Sequence, residues 1–159
     1  NITKDDMLNG EGLRTVLWVA GCSHHCPQCH NPVTWDINGG LVFDEQAKEE
    51  LFEELKKDYV SGVTFSGGDP FHLENREEIG ALAKEIREKF PDKTIWLYTG
   101  YEWEEICHLS FLSNIDVIVD GKFMIEEKDN NLHWKGSANQ RVIDVKASLR
   151  AGEVRLYQE

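Results

Sequence analysis

Residues 14–31 read RTVLWVAGCSHHCPQCHN, an apolar run followed directly by three cysteines in the spacing C-x₃-C-x₂-C. The apolar run is rich in β-branched and large side chains, which predicts a strand buried on both faces, as in a parallel sheet. Gly21 ends that strand, so the thiols follow its carboxyl end, where open α/β sheets and barrels place their ligand sites. The three cysteines are Cys22, Cys26 and Cys29.

Three thiolates in one short loop can ligate three irons of a [4Fe–4S] cluster and leave the fourth iron without a protein ligand. An open metal position indicates chemistry, by the logic that separates catalytic from structural zinc sites. Electron-carrier clusters are usually closed by four cysteines. A structural zinc site is the alternative, with one of His24, His25 or His30 as fourth ligand, although zinc usually draws its ligands from two separated pairs. The distant Cys107 does not turn the triplet into a disulfide framework, and it is expected to be an inert core residue.

Length and composition predict a globular protein of one domain, residues 1–159, without the need for disulfides. Hydrophobic residues make up 40% of the chain and charged residues 29%. No apolar run has the length of a transmembrane helix and no signal pattern is present, so we expect a cytoplasmic protein without membrane contact. The net charge of −12 argues against a nucleic-acid partner, because phosphate binding needs a basic stripe.

Beyond the cysteines, segments with strand character alternate with segments of helical periodicity. Further strands are predicted at 62–66, 94–98 and 115–119, and helices at 44–59, 75–90 and about 103–112. Residues 1–12 are predicted to form a loop, and 141–145 and 154–157 two short strands around Ala151-Gly152. The alternation implies βαβ units on a mainly parallel sheet. Four such strands are too few for a closed eight-stranded barrel of about 250 residues, so the prediction is an α/β fold with a partial, open barrel.

Each predicted parallel strand ends in a polar or glycine-rich loop. Because the carboxyl ends of parallel strands meet at one edge of a sheet, these loops are expected to converge there and form an active site. The loops are the cysteine loop, Gly67–Pro70, Thr99–Tyr101 and Asp120–Lys122.

The cysteine loop resembles the cluster motif of the radical S-adenosylmethionine (AdoMet) superfamily, and Gly67-Gly68-Asp69-Pro70 resembles the glycine-rich AdoMet motif of that superfamily. A narrower resemblance, to the glycyl-radical-enzyme activases, covers nearly the whole chain. The subgroup that it matches is the anaerobic ribonucleoside-triphosphate reductase activating proteins. The matching segments are 29–32 with Thr34-Trp35, 64–70, 96–101, 120–123 and 136–144.

The resemblance implies a fold of the radical AdoMet type, with a [4Fe–4S] cluster on Cys22, Cys26 and Cys29 and AdoMet chelating the open iron. Reductive cleavage of AdoMet would give a 5′-deoxyadenosyl radical, which removes a hydrogen atom from a glycine of the large subunit of anaerobic ribonucleoside-triphosphate reductase. The electron would come from a low-potential donor such as flavodoxin. The alternatives are a radical AdoMet enzyme with another substrate and a small zinc-binding interaction module.

The resemblance also assigns residues to the cofactor. Gly67 and Gly68 would offer backbone groups to the methionyl ammonium of AdoMet, because a chain without Cβ atoms can approach a ligand closely. Asp69 would accept a hydrogen bond from that ammonium or would cap the following turn. Gln28 stands where the superfamily commonly has an aromatic residue, so only backbone contacts are expected from it.

Two further groups of residues match the activases after the fourth predicted strand. Asp120 and Lys122 resemble an Asp-x-Lys element near AdoMet, with a surface ion pair as the alternative. The block Asn139-Gln140-Arg141 would position the glycine loop of the partner or brace the carboxyl-terminal edge of the sheet. Thr99 and Tyr101 are placed near the site by topology alone.

Overall fold

Six strands form one sheet in chain order in the computed structural model, which describes residues 2–19, 45–129 and 131–158. The strands are β1 (Ile2–Asp6), β2 (Arg14–Val19), β3 (Gly62–Gly67), β4 (Thr94–Tyr98), β5 (Val117–Asp120) and β6 (Arg141–Asp144). The helices of the described residues are α1 (Glu45–Leu55), α2 (Arg76–Lys89), α3 (Trp103–Ile106) and α4 (Val145–Ala151). Strands β2 to β5 pair in parallel, while β1 and β6 run antiparallel at the two edges.

The four parallel strands confirm the predicted βαβ pattern, and the prediction of a loop over residues 1–12 is wrong. Residues Ile2–Asp6 form β1, which pairs with β2 through Ile2 and Leu17. Three of its five residues, Lys4, Asp5 and Asp6, are charged, so it lacks the apolar run by which buried strands are recognised. Charged side chains are a common feature of edge strands, because they discourage pairing with another chain.

The carboxyl-terminal predictions need two corrections. The predicted strand at 154–157 is reduced to a single bridge at Leu156, and helix α4 occupies the place of the expected turn. Asp144 caps that helix by accepting a hydrogen bond from a backbone N–H of its first turn, and Gly152 ends it at φ +72°. The third helix is also shorter than predicted: α3 is followed by a separate 3₁₀ turn at Ser110–Asn114.

All four helices pack on one face of the sheet, here called the outer face. The hydrophobic core between them is continuous and takes residues from every strand from β2 to β6. Its strand residues are Leu17, Val63, Phe65, Ile95, Leu97, Ile118 and Ile143. The predicted α/β class is therefore confirmed, with an open sheet. In the described ranges, no helix is long and apolar enough to cross a membrane.

The opposite face of the sheet, here called the inner face, has no helix packed against it among the described residues. Trp96, Val117 and Val119 are buried there under a second, smaller apolar cluster. The rings of Trp134 and Tyr157 cover Trp96 edge-on, at centroid distances of 4.9 Å and 5.2 Å. Side chains from a loop and from the carboxyl-terminal segment therefore cover this face of the sheet, whereas helices cover the other.

Arg14 closes the amino-terminal edge of the inner face. Its side chain is 1% exposed, and all five of its N–H groups are used in hydrogen bonds. The acceptors are the hydroxyls of Thr64 and Thr94 and the carbonyl oxygens of Glu11, Val63 and Thr94. Burial lowers the pKa of Arg14 to about 10, and its guanidinium lies 5.6 Å from the ring centre of Trp96. Strands β2, β3 and β4 are therefore joined by one buried cation.

Replacing Arg14 by lysine should lower the free energy of unfolding by about 3 kcal/mol, because an ammonium leaves several of these buried acceptors unpaired. Urea denaturation followed by circular dichroism measures the change. Arg155→Lys is the matched control, since this arginine is 54% exposed and its replacement should cost no more than about 0.5 kcal/mol. Equal stability of the two variants would contradict the role given to Arg14.

Candidate functional site

The carboxyl ends of β2 and β3 meet directly before the cysteine loop. Val19 is the last described residue of β2; it pairs with Gly67, and its carbonyl oxygen accepts a hydrogen bond of 2.8 Å from the Gly68 N–H. The glycine motif therefore lies beside Val19, the last described residue before the cysteine segment in the sequence. Cys22, Cys26, Cys29 and Gln28 lie outside the described residues.

Gly67 is required by the close approach of two backbones. Its φ is +107°, and a Cβ atom built on it would lie 2.5 Å from the backbone nitrogen and oxygen of Val19. Any other residue would push β2 and β3 apart at the edge where the cysteines begin. No described residue donates a hydrogen bond to the carbonyl oxygen of Gly68, so the motif retains an acceptor that suits an ammonium group.

Asp69 ties the end of β3 to the end of β4. Its side chain is 1% exposed, and one carboxylate oxygen accepts from the Phe71 N–H at 2.9 Å and from the Thr99 hydroxyl at 2.8 Å. The second oxygen accepts from the Gly100 N–H at 3.0 Å. The expected turn cap is therefore present, and the same carboxylate positions the next loop of the site. Direct contact of Asp69 with AdoMet stays a prediction.

Asp120 occupies the equivalent place at the end of β5, and its ion-pair partner is Arg141. Its carboxylate is 1% exposed and accepts from the Nε, Nη2 and backbone N–H of Arg141 and from the N–H of Trp103. The distance from Arg141 Nη2 to the carboxylate is 2.6 Å. Arg141 also binds Glu104, and this contact holds the pKa of Glu104 below its ordinary value. The two carboxylates raise the pKa of Arg141.

Lys122 has a different environment from Asp120. Its side chain is exposed, and within the described residues its ammonium makes no ion pair. A surface ion pair between Asp120 and Lys122 is therefore absent, and the lysine is left with its charge at the rim of the site. The Asp120–Arg141 pair could not be found from the spacing of the Asp-x-Lys element, because its two members are 21 residues apart.

The amides of Asn139 and Gln140 brace the carboxyl-terminal edge, which is one of the two roles expected for this block. Asn139 donates to the carbonyl oxygen of Lys122 at 2.8 Å, and Gln140 donates to that of Gly121 at 2.9 Å. The side-chain oxygen of Gln140 also accepts from two backbone N–H groups, at positions 136 and 137. The sequence positions of Asn139 and Gln140 did not indicate these hydrogen-bond partners.

Hydrogen bonds connect successive loops along the whole described edge. After the Val19–Gly68 and Asp69–Thr99 contacts, the Gly121 N–H donates to the carbonyl oxygen of Tyr101 at 3.0 Å. Tyr101 also lies under the guanidinium of Arg76, which is 5.4 Å from its ring centre.

Cys107 is exposed at the end of α3, so the prediction of a core position is wrong. In the part of the chain that the structure describes, no group of three or more His, Cys, Asp or Glu side chains is placed to hold a metal ion.

Comparison with known proteins gives the family. A family model described as a 4Fe-4S single cluster domain matches residues 8–143, which include the cysteine loop and all strands from β2 to β6. The anaerobic ribonucleoside-triphosphate reductase-activating protein of Enterobacteria phage T4 is 44% identical over 137 residues, which cover 86% of this chain and 87% of that protein. The chain belongs to the family of anaerobic ribonucleoside-triphosphate reductase-activating proteins.

Other members of this activating-protein family give the same result. Those of Haemophilus influenzae and Escherichia coli K12 are each 40% identical, over 139 and 141 residues. The matches cover 85% and 86% of this chain and 90% and 92% of the relatives. The family model also favours an iron–sulfur cluster over a zinc site.

Asp69→Asn should separate the two roles considered for this carboxylate. Thr99→Val is the matched variant, because it removes one of the same hydrogen bonds without touching position 69. We expect both variants to lower the free energy of unfolding by about 1 to 2 kcal/mol and to weaken AdoMet binding equally, by no more than about threefold. Urea denaturation and equilibrium dialysis measure the two quantities. A loss of affinity above about tenfold in Asp69→Asn alone would instead indicate direct contact with AdoMet.

Asp120→Asn should destabilise the protein by roughly 2 to 4 kcal/mol, because a neutral amide cannot accept the bonds of Arg141 and of the α3 backbone together. Glu104→Gln removes the second carboxylate that pairs with Arg141. The side chain of Glu104 is 60% exposed, so this change should lower the free energy of unfolding by no more than about 1 kcal/mol. Thermal and urea unfolding give both values. A similar loss in the two variants would show that Asp120 contributes no more than a surface ion pair.

Proposed function

We propose that this chain activates an anaerobic ribonucleoside-triphosphate reductase by generating the glycyl radical on its large subunit. The observation that carries the proposal is the Gly68–Val19 hydrogen bond, which joins the glycine-rich motif to the end of the strand that precedes the cysteines in the sequence. When bound, a [4Fe–4S] cluster would supply the electron that cleaves AdoMet to methionine and a 5′-deoxyadenosyl radical.

The proposed role of the cysteine loop is to hold the cluster through three thiolates. Cys22, Cys26 and Cys29 would each ligate one iron, and the amino and carboxylate groups of AdoMet would take the remaining iron. The match to a 4Fe-4S single cluster domain supports this ligand set. A thiolate set of three also leaves the open coordination position that substrate chemistry requires.

For AdoMet, the proposed contacts lie along the edge from β3 to β5. The carbonyl oxygen of Gly68 is available to the methionyl ammonium, and Gly67 lets β3 approach β2 closely enough to present it. Lys122 offers a free ammonium at the rim, while Asp120 and Asp69 act chiefly by fixing the loops. The backbone of Gln28 completes the proposed set.

The arrangement of the sheet supports a partial, open barrel of the radical AdoMet type, formed as one domain over residues 1–159. All helices of the described residues pack on the outer face, as they do in barrels, and the four parallel strands β2 to β5 end at the candidate site on one edge. Doubly wound sheets carry helices on both faces instead. The partner in the proposed reaction is large and can close the open edge itself.

The proposed reaction also needs an electron. We infer a low-potential donor such as flavodoxin, acting in the reducing environment of the cytoplasm, where unpaired thiols are stable. The net charge of −12 supports a protein partner rather than nucleic acid.

An anaerobic electron-spin-resonance experiment tests the function. The reconstituted protein, AdoMet, a strong reductant and the reductase large subunit from the same source should give a glycine-centred doublet on the reductase. Cys26→Ala should abolish both the doublet and the formation of 5′-deoxyadenosine, because one iron loses its ligand. Cys107→Ala, which changes an exposed thiol away from the motif, is the matched control and should behave as wild type.

The outcomes divide the proposal into its parts. AdoMet cleavage without a glycyl radical would keep the chemistry and exclude this partner. Normal 5′-deoxyadenosine formation by Cys26→Ala would contradict the assignment of the cluster ligand. A colourless protein that contains zinc and no sulfide would contradict the cluster itself.

A further inference from the structure

Residues 131–136, here called the strap, cross the inner face below the candidate site. Trp134 is the residue of the strap that touches the sheet: its ring packs on Trp96, 4.9 Å between centroids, and on Tyr157, 5.8 Å. The ring of His133 stacks on the ring of Trp134, with 3.7 Å between the two centroids. The strap therefore covers the aromatic part of the inner face with a further layer of rings.

One hydrogen bond connects the strap to the site. The Tyr98 hydroxyl donates to the carbonyl oxygen of Trp134 at 2.7 Å. Trp134 has a φ of +67°, a left-handed conformation that a large residue adopts only where its surroundings hold it. The bond to Tyr98 and the ring contacts hold Trp134, while the end of the strap is bonded separately to Gln140. Removing the Tyr98 hydroxyl should therefore loosen the strap at Trp134.

Tyr98 lies at the boundary between the strap and the candidate site. It is the last residue of β4, pairs with Val119 of β5, and shares the inner face with Trp96. The next residue, Thr99, donates to Asp69 of the glycine-rich motif. Burial raises the pKa of Tyr98, so its hydroxyl stays protonated and donates at any physiological pH.

We propose that Tyr98 and the strap form the floor of the chamber in which AdoMet is held, and that this floor keeps small hydrogen-atom donors, such as thiols, from the site. The inference rests on the proposed function. A primary carbon radical takes a hydrogen atom from whatever C–H or S–H bond it meets and leaves the radical on that donor, so productive transfer requires that donors other than the partner's glycine be excluded. Among the described residues no helix covers the inner face, and its aromatic part is covered by the strap and by Tyr157. Tyr98 is a positioning residue, which acts through the strap.

Tyr98→Phe tests this role, because it keeps the ring and removes only the hydrogen bond to the strap. The measured quantity is the number of glycyl radicals formed per 5′-deoxyadenosine released, with dithionite as reductant and dithiothreitol present as a small S–H donor. We expect this coupling ratio to fall by about threefold or more while AdoMet cleavage is retained. Tyr157→Phe is the matched control, since this hydroxyl belongs to the same ring cluster but bonds Glu11 instead of the strap; its ratio should equal that of wild type.

Hydrogen–deuterium exchange gives a second measurement that does not depend on activity. AdoMet added to the cluster-loaded protein should slow exchange in peptides covering 63–75 and 131–136. In Tyr98→Phe, the protection of 131–136 should be lost and that of 63–75 retained. A purely structural role would lower 5′-deoxyadenosine release and glycyl-radical formation together, with an unchanged coupling ratio.

Two results would overturn the proposal. One is a coupling ratio in Tyr98→Phe equal to that in wild type, and the other is AdoMet protection of 63–75 with none at 131–136 in the wild type. If the wild-type protein cleaves AdoMet but installs no glycyl radical, the proposed partner is wrong. The exchange comparison then still decides whether Tyr98 and the strap form the floor.

Discussion

The buried carboxylate of Asp120 is the interaction on which the carboxyl-terminal half of the fold depends. It accepts one hydrogen bond from the first turn of α3 and three from Arg141, so it fixes both the helix that follows β4 and the antiparallel edge strand β6. A buried carboxylate is stable only when donors surround it. Asp69 does the same between β3 and β4, so the loops of the site are fixed by hydrogen-bonded buried carboxylates rather than by apolar packing.

These contacts explain how a site can form at the edge of a sheet with helices on one face only. Each strand end from β2 to β5 is joined to the next through at least one hydrogen bond, and Gly67 stands where two backbones come too close for a side chain. The amides of Asn139 and Gln140 complete the series at the β5–β6 connection. The residues that resemble the activases therefore serve the geometry of the edge as well as any ligand.

The parallel strands and the two long helices were predictable because their apolar periodicity is strong, and the cysteine loop and the glycine-rich motif gave the family. Strand β1 was missed because an edge strand can carry charged side chains on both faces. Helix α4 was missed because its N-cap, Asp144, is also the last residue of strand β6. The partners of Asp120 and Gln140 were not predictable, since contacts across 19 or 21 residues depend on the register of β5 and β6. The strap at 131–136 has no periodicity, and only the positions of Trp96 and Tyr98 show what it covers.

The inner face is completed late when the chain is synthesised on the ribosome. Trp96, the largest fully buried side chain, is covered by Trp134 and Tyr157, which are synthesised last. The outer core contains α1, α2 and the first parallel strands and can collapse earlier, since it is nearly complete before β6. A nascent chain therefore carries a half-finished sheet with an exposed aromatic surface until residues 131–158 emerge, and transiently exposed surfaces of this kind favour aggregation.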